Sequence, residues 1–406
     1  MFLLLLCAAP TAAGDWPQWL GPRRDASSPE TVPAWKGTLK ELWRHPTGEG
    51  NSSPVVSAGR VFVHSKVRDA NVEEVVAYDA VSGKELWRTS YDRAEFKSLY
   101  GNGPRATPSV AGGKVYTHGI TGLLTCFDAA TGKISWQVDT QKTFEAPKLL
   151  FGTACSPLVD AGRVYLDVGA KSASVVAFDA AKGDVVWKSL SDPASYSSPI
   201  LTGDGASRQL IVLTGSGLTS LEPAEGKLNW QFPLKDALFE SSTTPVRIGE
   251  RILASSITYG SVALQLENKG GKPAVAEAWK SASLTPYFST PVGVDTDHVY
   301  LVAGSNPLAF RQAEATLHCV DMKTGKSLWS KPKVGDYHAS LLRTGDNKLL
   351  LLEEKGDLVL LDPDPKEYRE LARSKVCGHT WAHAALANGR LYLRDDKDLI
   401  CVELPK

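Results

Sequence analysis

The sequence predicts an all-β protein, an eight-bladed β-propeller of four-stranded antiparallel blades, and three observations carry that prediction. A phrase of nine residues recurs at Asp79–Trp87, Asp128–Trp136, Asp179–Trp187, Glu222–Trp230 and Asp321–Trp329, always with Gly four places and Trp eight places after the acid. Ser/Thr-Pro pairs open successive units at Ser53, Thr107, Ser156, Ser198, Thr244 and Thr290, so the period is roughly 40–55 residues, the spacing of propeller blades. The last unit, 381–404, stops after its third strand, while 39–45 reads as an outer strand with no unit of its own. Pairing the two would close the ring and remove its open edges.

Residues 1–13 (Met-Phe-Leu-Leu-Leu-Leu-Cys-Ala-Ala-Pro-Thr-Ala-Ala) form a short apolar run followed by small residues, the pattern of a secretory signal peptide without its basic start. A buried N-terminal strand is the other reading, and a lipidated Cys7 lacks the small residue that should precede it. No other stretch approaches the roughly 20 apolar residues of a membrane-spanning helix, so a periplasmic or secreted protein without a transmembrane segment is expected. Residues 14–406 form one domain, of which 14–38, rich in Trp, Pro and Gly, is an irregular lead-in.

Each unit then repeats one order: a short apolar strand after Ser/Thr-Pro, a Gly turn, an alternating strand, a third strand, and the hairpin that ends on Trp. In the hairpin the Gly permits φ > 0 and the Asp caps its own turn. The second unit is the plainest, with strands at 106–111, 114–119, 123–128 and 133–138. The seventh and eighth openings, Ala339-Ser340 and His383-Ala384, lack Pro. The fifth hairpin is longer, running through Asn268-Lys-Gly-Gly-Lys-Pro273 before Trp279, and the seventh has no Gly and places Tyr368 where Trp is expected.

Charge excludes one function class: 45 basic residues balance 45 acidic ones, so no basic field marks a nucleic-acid binder. The five cysteines after residue 13 have neither CxxC nor adjacent spacing, which argues against zinc and against a disulfide framework. Cys126, Cys319 and Cys401 stand two residues before the repeat acid, where Ala77, Ala177 and Ser220 stand elsewhere, so this slot requires a small side chain.

On these motifs the chain resembles the PQQ-like β-propeller repeat family, which includes quinoprotein dehydrogenases and the BamB-type assembly lipoproteins. Ala77–Trp87 and Ala177–Trp187 match that family's tryptophan-docking repeat, and Asp15-Trp-Pro-Gln-Trp19, Gly103–Pro108 and Trp381-Ala-His383 resemble its exported bacterial members. The resemblance implies that Trp43, Trp87, Trp136, Trp187, Trp230, Trp279 and Trp329 pack between blades. It also makes the strand after Ser/Thr-Pro the innermost.

Propellers bind ligands at the mouths of the central channel. The position three residues before the second residue of each opening is filled by Asn51, Arg105, Ala154, Tyr196, Ser242, Phe288, Tyr337 and Trp381, and blade symmetry sets these in a ring near one mouth. Aromatics and Arg suit a binding platform, although the same residues could cover a plugged channel. His338 and His383 join them as channel residues; with His379 they lack metal-ligand spacing, so no metal site is expected. Asp167 and Asp336 are lone acids without an activating partner, and no catalytic residue is assigned. The expected function is a non-catalytic exported scaffold without cofactor, a monomer binding a protein or a small or polymeric ligand at a channel mouth, with a BamB-like role as one version. The alternative is a dehydrogenase using PQQ with calcium, for which the adjacent Cys pair, the long insertions and a CxxCH haem site that the resemblance would supply are missing.

Overall fold

A computed structural model describes residues 14–304 and 313–405. The expected signal peptide and Cys7 lie outside the described residues. Blade 1 consists of strands Val55–Ser57, Arg60–Lys66, Val72–Asp79 and Glu85–Asp92, hydrogen-bonded in chain order from the innermost to the outermost. Blades 2 to 7 repeat this order over 109–139, 158–189, 200–233, 246–281, 292–335 and 339–375. Blade 8 takes Ala385–Ala387, Arg390–Arg394 and Asp398–Glu403 from the end of the chain and its outermost strand, Lys40–Pro46, from the beginning. The eight-bladed wheel and its predicted closure are both present, with Trp43 set opposite Cys401 in the closing pair.

Register explains the small slot. Ala77 pairs with Trp87, Cys126 with Trp136, Ala177 with Trp187, Ser220 with Trp230, Ala263 with Trp279 and Cys319 with Trp329. In each blade a β-bulge adjoins this pair and bends the outer strand there. Blade 7 corrects one expectation. The residue in the Trp register is Ala372, paired with Leu360, and not Tyr368. A large residue in the slot and a small one across from it conserve volume by exchange. Tyr368 instead packs edge-on against Trp329 at 6.0 Å.

The repeat also locks neighbouring blades. Asp128 Oδ1 accepts hydrogen bonds from the Ala130 and Thr131 amides and the Thr131 hydroxyl, which shapes the turn. Gly132 then sits at φ +74° directly on Trp87 of the preceding blade, where a Cβ would come within 2.5 Å of the indole. The Trp87 indole N–H donates to Ala129 O at 3.1 Å, and Trp136, Trp187, Trp279 and Trp329 reach the same loop of their next blade at 2.8–3.1 Å. Two tryptophans depart. Trp230 donates to Gln209 within its own blade, because blade 5 has the long hairpin in place of this loop. Trp43 Nε1 has no acceptor among the described residues, and the Ala80 carbonyl of that loop is taken by Arg390 and Tyr392.

The innermost strands are stitched by the hydroxyls that precede the prolines. The Ser53 amide donates to Thr107 Oγ1, the Thr107 amide to Ser156 Oγ and the Ser156 amide to Ser198 Oγ, at 2.9–3.1 Å, and the His383 amide of blade 8 returns to Ser53 Oγ. A Ser or Thr is needed there because each buried amide takes its acceptor from the next blade.

The lead-in, residues 14–38, carries no regular strand or helix, and it fills the channel. Trp16 bridges to Val56 of blade 1, Pro17 O accepts from Val110 of blade 2, and Arg343 of blade 7 donates to Ala26 O. Arg24, buried to 3% exposure, donates to Ser156 O and Pro157 O of blade 3 at 3.0 and 2.8 Å. Its guanidinium pKa is pushed down to about 10, chiefly by burial. Among the described residues no helix is long and apolar enough to cross a membrane.

Candidate functional site

The connections from each outermost strand to the next innermost strand lie at one end of the channel. Three of them carry large exposed apolar residues: Leu99 (94% exposed), Leu150 (73%) and Phe239 (57%). Each is one residue from a side chain that turns inward: Tyr100, Phe151 and Glu240. Together they enclose a cavity of about 120 Å³, open to solvent at its mouth. Trp19 of the lead-in contributes to its lining, donating to Thr244 Oγ1 at 2.7 Å and lying 4.5 Å from the His383 ring.

Of the ring expected from blade symmetry, Asn51, Arg105, Ala154, Tyr196, Ser242, Phe288 and Trp381 all line this one cavity. Tyr337 does not line it; its ring stands edge-on to Trp381 at 6.3 Å. His383 also lines the cavity, whereas His338 is buried behind it, with Nδ1 3.1 Å from Ser289 Oγ and its ring 5.3 Å from that of His383. Burial lowers the pKa of both, His338 to about 3, so both rings are neutral. The two suspected acids stand apart from the cavity. Asp336 donates its amide to Glu354, and Asp167 is buried against Ser195, its carboxyl held well above the usual range by burial.

The aromatics form a continuous belt. Tyr196 meets Phe151 at 5.6 Å, Phe151 meets Tyr100 at 5.5 Å, Tyr100 meets Trp381 at 5.8 Å, and Trp381 stacks on Phe288 at 5.4 Å. The Trp381 indole is fixed by donating to Glu354 Oε1 at 2.5 Å. Burial raises the Glu354 pKa, yet the bonds from Trp381 and from the Tyr337, Asp336 and His338 amides outweigh it and hold the carboxylate ionised below its ordinary value. Arg105 donates Nε to Phe151 O at 2.8 Å and Nη2 to Tyr100 O at 3.1 Å and Gly101 O at 3.3 Å, so it orders the two aromatic loops. Desolvation lowers its pKa. Glu240 accepts from the Tyr287 hydroxyl and is shifted upward, first by burial.

Tyr100, Phe151, Glu240, Tyr287 and Trp19 were not among the expected site residues because they lie off the blade register. One signal for two of them is in the chain: Leu99-Tyr-Gly101 and Leu150-Phe-Gly152 repeat the same triplet shortly before an opening.

The profile of a family described as outer membrane protein assembly factor BamB matches residues 71–331, well over half of the chain. The chain belongs to the PQQ-like β-propeller family. Among its relatives, the outer membrane protein assembly factor BamB of Shewanella oneidensis is 23% identical over 311 residues, which is 73% of this chain and 73% of that protein. The quinohemoprotein alcohol dehydrogenase ADH IIB of Pseudomonas putida is 33% identical over 131 residues, which is 31% of this chain and 18% of that enzyme. In structure, the quinohemoprotein alcohol dehydrogenase of Comamonas testosteroni superposes with a TM-score of 0.69 at 17% identity, covering 98% of this chain and 82% of that one, a likeness of fold.

Proposed function

We propose that this protein is an exported, non-catalytic binding scaffold that engages a protein or ligand at the aromatic mouth of its channel, in a BamB-like role. The observation that carries the reading is the mouth itself. Seven residues from seven blades converge on one cavity, and exposed Leu99, Leu150 and Phe239 stand on its rim. A monomer leaves large apolar side chains in water at a cost, and clustered ones mark interaction sites. The lead-in and the aromatic belt hold the cavity in shape, which lowers the ordering cost of binding.

The donor set supports the same reading over a quinone dehydrogenase. Calcium takes six to eight oxygen ligands, several of them carboxylates. Glu240 is the one carboxylate among the described residues lining the cavity, and it is engaged by Tyr287. No three His, Cys, Asp or Glu side chains among the described residues converge to hold a metal. The residues present therefore do not fit a calcium-bound quinone. Adding PQQ and Ca²⁺ to the purified protein is expected to leave its melting temperature unchanged; a rise of several degrees, with dye-linked alcohol oxidation, would make the dehydrogenase the correct reading.

A further inference from the structure

The apolar part of the cavity lining is almost wholly aromatic. Tyr, Phe and Trp supply it together with Ala154, and no Leu, Ile, Val or Met among the described residues takes part. Leu99 and Leu150, the chain neighbours of Tyr100 and Phe151, are turned out to solvent. An acyl chain or a leucine-rich segment would be met by aliphatic packing. Aromatic faces interleaved with hydrogen-bonding groups suit a different ligand, one with weakly apolar C–H faces and a periphery of hydroxyls. The rings present several angles rather than one shared plane: neighbouring pairs along Tyr196, Phe151, Tyr100 and Trp381 are inclined by 47–59°, while Phe288 lies within 26° of Trp381 and 21° of Tyr287. A flat ligand needs parallel faces, whereas successive sugar rings turn relative to one another.

The polar groups are placed to match. Arg105 binds carbonyls through Nε and Nη2, leaving Nη1 without a protein partner among the described residues. Ser156 and Ser198, exposed by only 2% and 4%, line the cavity and accept backbone amides, yet neither hydroxyl proton has a protein acceptor among the described residues. Asn51 supplies both a donor and an acceptor, and Glu240 a strong acceptor, on other sides of the cavity. Among the described residues one cation and one carboxylate leave the lining without a dominant sign, as fits a neutral ligand.

The geometry points to a neutral carbohydrate chain as the ligand of the mouth cavity, its sugar faces stacked on the aromatic belt and its hydroxyls bonded by Arg105, Asn51 and Glu240. This rests on the mouth being the binding surface. The test is a glycan array probed with the full chain, followed by calorimetry on the strongest oligosaccharide with the wild type, Tyr100→Ala and Glu240→Gln. Tyr100 is 43% exposed on the rim, so its removal leaves the fold in place. The expected result is selective binding of a neutral oligosaccharide, weakened at least tenfold by Tyr100→Ala and severalfold by Glu240→Gln, with unchanged melting temperatures. An array without a bound glycan overturns the carbohydrate assignment. If a cross-linker at Leu150 still captures a protein in that case, the mouth reading stands without the sugar. Glycan binding that both variants leave intact overturns the assignment to this cavity.

Discussion

Gly162 and Gly183 lie in the same blade at nearly the same backbone angle, φ +76° and +78°, and separate the two reasons for a glycine. Around Gly162 a Cβ would meet nothing within 4 Å, so Gly162→Ala carries only the cost of a left-handed alanine. That cost is roughly 1–2 kcal/mol, partly offset by a gain of about 0.4–1 kcal/mol from a stiffer unfolded chain. The net loss is therefore on the order of 1 kcal/mol. At Gly183 the same Cβ would lie 2.7 Å from Trp136 Cε3 of blade 2. Moving that indole adds roughly 1–3 kcal/mol of overpacking. It also strains the bond from Trp136 Nε1 to Ala180 O, 3.1 Å long, which contributes about 1 kcal/mol. Gly183→Ala should thus cost about 3–5 kcal/mol, summed from those contributions. Urea unfolding of both variants, followed by Trp fluorescence, measures the difference. Equal midpoints would refute the idea that this glycine is the seat of the neighbouring blade's tryptophan.

Two further outcomes follow from blade 7 and from the buried histidines. Ala372→Trp alone should destabilise by roughly 1–3 kcal/mol through overpacking against Leu360. Adding Leu360→Ala should recover at least about 1 kcal/mol of that, a coupling expected for residues in contact, and additive losses in urea unfolding would contradict the exchange. His118 and His338 are buried and neutral, their pKa values lowered to about 4 and about 3, in each case mainly by burial. Below pH 6.5 the unfolded chain takes up protons that the folded chain refuses, so their contribution is lost as pH falls from 6.5 toward those values. Linkage makes this about 2 kcal/mol per histidine at pH 5. His118→Gln should flatten the fall in unfolding free energy between pH 7 and pH 5, and an undiminished fall would assign the pH dependence to other groups.

How much of this was legible in the chain depends on whether a residue belongs to the blade register. The acid, Gly and Trp of the repeat are legible because each answers a local need, a capped turn, a left-handed angle and a large inter-blade side chain, at fixed spacing. Cys126, Cys319 and Cys401 were readable as small residues for the same reason. Tyr368 misled because local spacing points to it, whereas strand pairing across the bulge selects Ala372 and swaps the large member to Leu360. The ring at the mouth was half legible: Arg105 and Trp381 follow from symmetry, but Tyr100, Phe151 and Glu240 come from connections whose lengths differ, so no period locates them. Nor does local sequence show that residues 14–38 fill the channel, since their partners are hundreds of residues away.

The claim that the open mouth is the working surface is tested most directly by placing a photo-cross-linking amino acid at Leu150 on the rim and, in a second variant, at Leu228 on the outer strand of blade 4, also exposed at 51%. In the living host the Leu150 probe should trap a discrete partner, protein or glycan, and the Leu228 probe should not. Trapping from Leu228 alone, or from neither position, would contradict the account.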